Sequence, residues 1–219
     1  HVELAQALAE KASDSAQGVD DPWLQVLLRV VQSRAARLRG DLAAARPLLE
    51  QAAGLAQYSS TLRVLTLTEL GSLYVELGEA ADALAATREA VQQLKQRGDT
   101  GLGSMFTPAT AWWWHVRALR ANGLAAQAQR ALATGYRVML QGVASLSDEG
   151  LRRSWFGKVK AHRQLILAWM DDARRRGLPG ARWQAHLRAR TQLREPFERL
   201  VETGVRMNQL HDSATLQHF

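Results

Sequence analysis

The sequence predicts an all-α fold of consecutive helices, and three observations predict it. The 219 residues include only 5 Pro and 16 Gly, while Ala, Leu, Arg and Gln, which lose little side-chain freedom in a helix, dominate. Runs that alternate Val, Ile, Thr and aromatic residues with polar ones, the pattern of a half-buried strand, are absent. Gly40, Gly78 and Gly123 each follow one apolar-periodic stretch and precede another, as expected where one helix of a pair hands over to the next.

In chain order, the periodicity predicts helices near residues 2–16, 22–39, 42–57, 60–77, 80–97, 108–122, 125–144, 148–176 and 181–210. The first reads as the second member of a pair whose partner is cut away, so the chain is expected to be a fragment of a longer protein. Asp21-Pro22 and Thr107-Pro108 each set a capping residue before a proline at the first helical position, where a missing N–H is harmless. Ser147-Asp148-Glu149 supplies a cap and an acidic first turn to a long closing helix. That helix carries Leu151, Trp155, Phe156, Val159, Leu165, Ile166, Trp169 and Met170 on its apolar side. Arg174-Arg175-Arg176-Gly177 suits its C-terminus. Three units are expected: a repeat array over 1–144, a degenerate capping pair over 145–180, and a linker helix over 181–219 leading to a further domain.

The segment Leu70-Gly71-Ser72-Leu73-Tyr74-Val75-Glu76-Leu77-Gly78, followed by Ala83, Thr87 and Ala90, resembles the tetratricopeptide repeat. In that family a large residue, Leu-Gly, Tyr, an interhelical Gly and two Ala recur at fixed offsets. Two weaker copies align on the interhelical glycine. One has Ser33, Ala36, Gly40, Ala45, Leu49 and Ala52; the other has Trp112, His115, Val116, Leu119, Gly123, Ala128, Leu132 and Gly135. The resemblance covers roughly residues 22–140 and implies antiparallel helix pairs stacked into a superhelix, a binding array without catalytic machinery. It also implies a groove lined by the first helix of each pair. Carried over residue by residue, the groove positions are Val30, Arg34 and Arg37, then Thr68, Ser72 and Glu76, then Trp113, Arg117 and Arg120. Such a groove is net positive and anticipates a protein or acidic peptide partner, because the planar fork of arginine matches carboxylates and indole is a frequent anchor.

The Trp112-Trp113-Trp114 string leaves two readings open. Adjacent helical residues stand about 100° apart, so either Trp113 faces the groove or flanking helices bury all three. Farther on, Leu193, Phe197, Leu200, Gly204 and Met207 recur at alternating steps of four and three, a seam that packs on the array or pairs with a second chain as a homodimer. The run Glu202-Thr203-Gly204-Val205-Arg206-Met207-Asn208-Gln209-Leu210-His211-Asp212 with Thr215-Leu216 is similar to the helix leading into GAF domains of bacterial signalling proteins. That likeness implies a signal-transduction context.

Charge is unevenly spread. Residues 1–150 hold 14 Lys/Arg and 15 Asp/Glu, a net of −1, and residues 151–219 hold 14 and 6, a net of +8. The basic third reads either as a solvated helical face or as a contact with an acidic partner, and its thin aromatic content argues against nucleic acid. The absence of Cys excludes disulfides and thiol chemistry and agrees with a reducing, cytoplasmic setting. No apolar run is long enough for a membrane span. Neither the histidines nor the paired aspartates form a ligand or acid/base constellation. His115 reads as a satisfied core residue, and His162 as a boundary residue. Gly98-Asp99-Thr100-Gly101-Leu102-Gly103-Ser104 lacks the strand and Lys-Ser/Thr ending of a phosphate loop. No catalytic residue, cofactor or metal is expected. The leading expectation is an interaction or sensory module of a multidomain regulator. The rivals are a dimerisation scaffold and a nucleic-acid-contacting segment.

Overall fold

A computed structural model describes residues 2–15, 18, 20–96, 106–144, 146, 148–183 and 185–186. Among these residues there are helices and no strand. The elements are α1 (Val2–Ser15), α2 (Pro22–Leu38), α3 (Leu42–Leu55), a single 3-10 turn (Ala56–Tyr58), α4 (Ser60–Leu77), α5 (Ala80–Gln96), α6 (Pro108–Ala121), α7 (Ala125–Ala144), α8 (Glu149–Gly157), α9 (Lys160–Arg175) and α10 (Gly180–Trp183). The dimer seam from Leu193 to Met207, the GAF-like run and the Gly98–Ser104 loop lie outside the described residues, as does most of the linker helix.

Consecutive helices pair as α2 with α3, α4 with α5 and α6 with α7. The elbows share one construction. Gly40, Gly78 and Gly123 have φ of 83°, 81° and 70°, a left-handed conformation that side chains with a Cβ resist. The residue after each glycine then donates back into the preceding helix: Asp41 to the Ala36 carbonyl at 3.0 Å, Glu79 to Tyr74 at 2.9 Å and Leu124 to Leu119 at 2.9 Å. These bonds satisfy carbonyls that the helix end would leave open. The elbows also lie along one edge. The Asn122 side-chain amide donates to the Ala80 carbonyl at 2.6 Å, and Arg46 at the start of α3 pairs with Glu79.

The first helices of successive pairs stack side by side, α2 on α4 and α4 on α6, while each second helix packs on the next first helix. Helix α4 is therefore enclosed nearly all round, with every residue from Val64 to Leu73 buried. This explains why its apolar residues follow no single stripe. Leu49, Leu73, Leu94, Leu119 and Leu132 are among the fully buried side chains. Close approach within a pair depends on small residues: a Cβ on Gly71 would collide with the Thr87 methyl group.

The fold departs from the sequence reading in the last third. The single helix expected over 148–176 is two, α8 and α9, broken where Val159 is extended with φ −79° and ψ 106°. The break gives the Trp155 carbonyl to a side chain. In an unbroken helix it would accept from the Val159 N–H, whereas here it accepts from His162 Nδ1 at 2.8 Å. His162 is fully buried rather than a boundary residue, and Leu151 of the expected apolar set is 58% exposed. Helix α9 nevertheless follows the array's rule. It packs on α6 and α7 and ends at Gly177 with φ 64°, after which Leu178 donates to the Ala173 carbonyl at 3.0 Å. Against α6 and α7 it takes the place that α4 and α6 take against the pairs before them, although its apolar signature has diverged.

Candidate functional site

The inner stripes of α2, α4, α6 and α9 face one open cavity of ≈ 540 Å³. This volume lies in the range of ligand clefts. One wall comes from α2 and α4. There Arg34 Nε donates to Glu69 Oε1 at 3.1 Å, and Arg37 Nη1 donates to Glu69 Oε2 at 2.9 Å. Arg37 also grips Glu76 in a two-point contact of 3.1 and 2.8 Å. Planar guanidinium and carboxylate groups meet here with matched geometry. The wall holds two cations and two anions, so it is closed in charge as well as in hydrogen bonding.

The opposite wall comes from α6 and α9 and differs in kind. Arg117 lies over the Trp114 ring, 4.9 Å from its centroid, a cation–π contact. Lys160 and Gln164 complete this side. Gln164 Oε1 accepts from the Trp113 indole N–H at 3.0 Å, which leaves its amide N–H groups as donors. Among the described residues, neither Arg117 nor Lys160 is paired with a carboxylate. The cavity is therefore neutral on one side and carries uncompensated positive charge on the other.

Of the sequence-derived groove positions, Arg34, Arg37, Ser72, Glu76 and Arg117 line this cavity together. The others do not. Trp113 is 7% exposed because α9 covers it and bonds its indole nitrogen; the next residue, about 100° further round, is Trp114, and it reaches the cavity instead. Arg120 is exposed outside the cavity walls. Val30 and Thr68 are buried between helices. Glu69, Lys160 and Gln164 were not anticipated. Glu69 and Trp114 both stand nine residues ahead of their elbow glycine, so alignment on the glycines carried the signal for these two. Lys160 and Gln164 were hidden by the undetected break before α9.

Buried polar groups behind the cavity hold α9 in place. The Trp155 carbonyl can only accept, so His162 Nδ1 carries the proton and Nε2 of the neutral ring accepts from the Thr107 hydroxyl at 2.7 Å. Thr107 sits at the cap position of α6 but makes no capping bond, because its hydroxyl is engaged with His162 and Thr110. Burial pushes the His162 imidazole below its ordinary value, opposed in part by the Trp155 carbonyl. His115, as expected a core residue, contacts the Thr87 hydroxyl at 3.1 Å; burial, then Arg88 and Lys95, lower it to about 4. His186 meets the Tyr136 hydroxyl at 2.9 Å and is likewise lowered by burial, while burial raises the Tyr136 phenol to about 12.

No described helix is long and apolar enough to cross a membrane. Among the described residues, no three His, Asp or Glu side chains gather in a way that could hold a metal ion. No family model, curated protein or solved structure matches the chain.

Proposed function

We propose that this chain is a non-catalytic, tetratricopeptide-like binding module of a multidomain regulatory protein, and that its cavity receives an acidic segment of a protein partner. The reading rests on one observation: α2, α4, α6 and α9 converge on a cavity whose α6–α9 wall presents Arg117 and Lys160 without carboxylate partners among the described residues. Uncompensated cations in a partly enclosed cleft attract anionic groups and gain strength from the lowered local dielectric. Arg34 and Arg37 already hold Glu69 and Glu76, so they shape the cleft rather than supply its free charge.

Titration calorimetry with a poly-glutamate peptide and a poly-glutamine peptide of equal length tests the proposal. Binding of the acidic peptide alone is expected, weakening with salt, lost in Arg117→Ala/Lys160→Ala and retained in Arg120→Ala. Equal binding of both peptides, no binding, or acidic-peptide binding unaffected by the double substitution would overturn it.

A further inference from the structure

The α6–α9 wall of the cavity differs from the α2–α4 wall in more than charge. Arg117 and Lys160 line it, and both side chains carry hydrogen-bond donors and no acceptor. Gln164 lines the cavity beside them. Its primary amide is by its own chemistry undecided, with an oxygen that accepts and a nitrogen that donates. Trp113 decides between the two. An indole N–H can only donate, so the Gln164 atom that meets it at 3.0 Å is the oxygen, and the planar amide then turns its nitrogen away from the indole. Trp113 is buried in α6, against which α9 packs, so the indole is a fixed reference for the amide. Among the described residues no group accepts from the Gln164 nitrogen. The wall therefore offers three sets of donors, two charged and one neutral.

We infer that Gln164 is a specificity-determining residue of this cavity and Trp113 its positioning residue: the pair reads the partner's carboxylate by hydrogen bonding, in addition to the charge supplied by Arg117 and Lys160. The inference rests on the reading that the cavity receives an acidic segment, and it narrows that segment to one offering Asp or Glu side chains. A carboxylate is an acceptor at both oxygens, so it accepts from the Gln164 nitrogen whichever oxygen it turns that way. A carboxamide has the same outline but is a donor over half of it. Among three sets of donors its own N–H groups meet other N–H groups, and donors left unpaired cost more than an ordinary hydrogen bond gains. Salt screens the two cations but does not alter this mismatch, so Asn and Gln counterparts are rejected at high ionic strength as well. On the α2–α4 wall the same carboxylate would meet Glu69 and Glu76, and the donor wall thereby also fixes the side it takes.

Calorimetry of the intact chain with the poly-glutamate peptide, repeated from low to high salt, tests the inference. Gln164→Met keeps the length of the side chain and removes its donors; it is expected to weaken binding about tenfold, by the same factor at every salt concentration because no charge is lost. Trp113→Phe keeps a ring but frees the amide to turn over, and is expected to weaken binding about two- to fivefold as the donating orientation becomes one of several. In the Gln164→Met background, Trp113→Phe is expected to add nothing, whereas Arg117→Ala/Lys160→Ala flattens the salt dependence. Circular dichroism checks that each variant folds, and Gln164→Met, at a partly exposed position, carries the test alone if Trp113→Phe does not. Unchanged affinity in Gln164→Met, a loss that shrinks at high salt, an equal loss for poly-glutamine, or full additivity with Trp113→Phe would overturn the inference and leave the acidic-partner reading standing. No binding of poly-glutamate to the parent chain would remove both.

Discussion

From α2 to α7 the helices are held mainly by apolar and small side chains recurring at the same distance from each elbow, whereas α8 to α10 are fastened by individual polar contacts at aromatic junctions. In the first region, polar contacts such as Thr87–His115, Arg34–Glu69 and Arg37–Glu76 are set among many apolar neighbours. In the second, His162 joins α6, α8 and α9 through two bonds, and Tyr136 anchors His186 while its ring stacks on Trp169 at 4.8 Å. Repetition spreads stability over the array; the C-terminal unit concentrates it in a few groups. The unit also supplies Lys160 and Gln164 to the cavity, so its docking and the shape of the cleft are coupled.

The largest expected effect breaks the array. Leu73 is fully buried at the centre of α4, and Leu73→Ala should cost about 2–5 kcal/mol through lost burial and a cavity, read as a lowered midpoint in urea with α2–α7 unfolding together. His162→Ala should cost about 2–3 kcal/mol by leaving the Trp155 carbonyl and Thr107 hydroxyl without their partner. Its signature is regional: faster hydrogen exchange in α8 and α9 with α2–α5 protected. Equal loss in both regions would mean that the two are one cooperative unit.

Gly71→Ala should cost about 1–3 kcal/mol, because strain against Thr87 outweighs the better helix propensity of alanine; thermal melting checks the sign. Arg117→Ala should change stability by less than about 1 kcal/mol, since cation–π contacts at partly open sites are weak, and calorimetry of folding separates this from any loss of peptide binding.

The response to acid sharpens the comparison. His115 and His162 have folded values below that of a free imidazole, so the unfolded chain binds more protons in the interval between. Their contribution is complete at and above about pH 6.5 and is withdrawn as pH falls, for His115 towards about 4. Each histidine within its window changes stability by at most about 1.4 kcal/mol per pH unit. Exchange measured between pH 7 and 5 should show α9 loosening in the parent chain, and less additional loosening in His162→Gln. A flat response in the parent would contradict neutral burial.

Much of the α2–α7 architecture was legible because its determinants are local. A glycine in the left-handed region, a capping aspartate and an apolar stripe act within a few residues of themselves, and the three elbows fall where the glycines lie. The same alignment located Arg34, Arg37, Ser72, Glu76 and Arg117 around one cavity, since equal distance from an elbow means equal orientation in a stack. It misplaced Trp113 because burial on the far side of α6 is set by α9, a helix with little sequence signal of repetition.

What the sequence determined alone is the helical class and the elbows, both consequences of 3.6-residue periodicity and backbone sterics. Tertiary structure decided which arginines are neutralised, where the 148–176 helix breaks and which tryptophan meets the cavity. Those outcomes depend on groups 30 to 60 residues apart, such as Arg34 with Glu69 and Thr107 with His162. Pairings of that kind have no local signature, because a side chain's partner is fixed by which helices become neighbours.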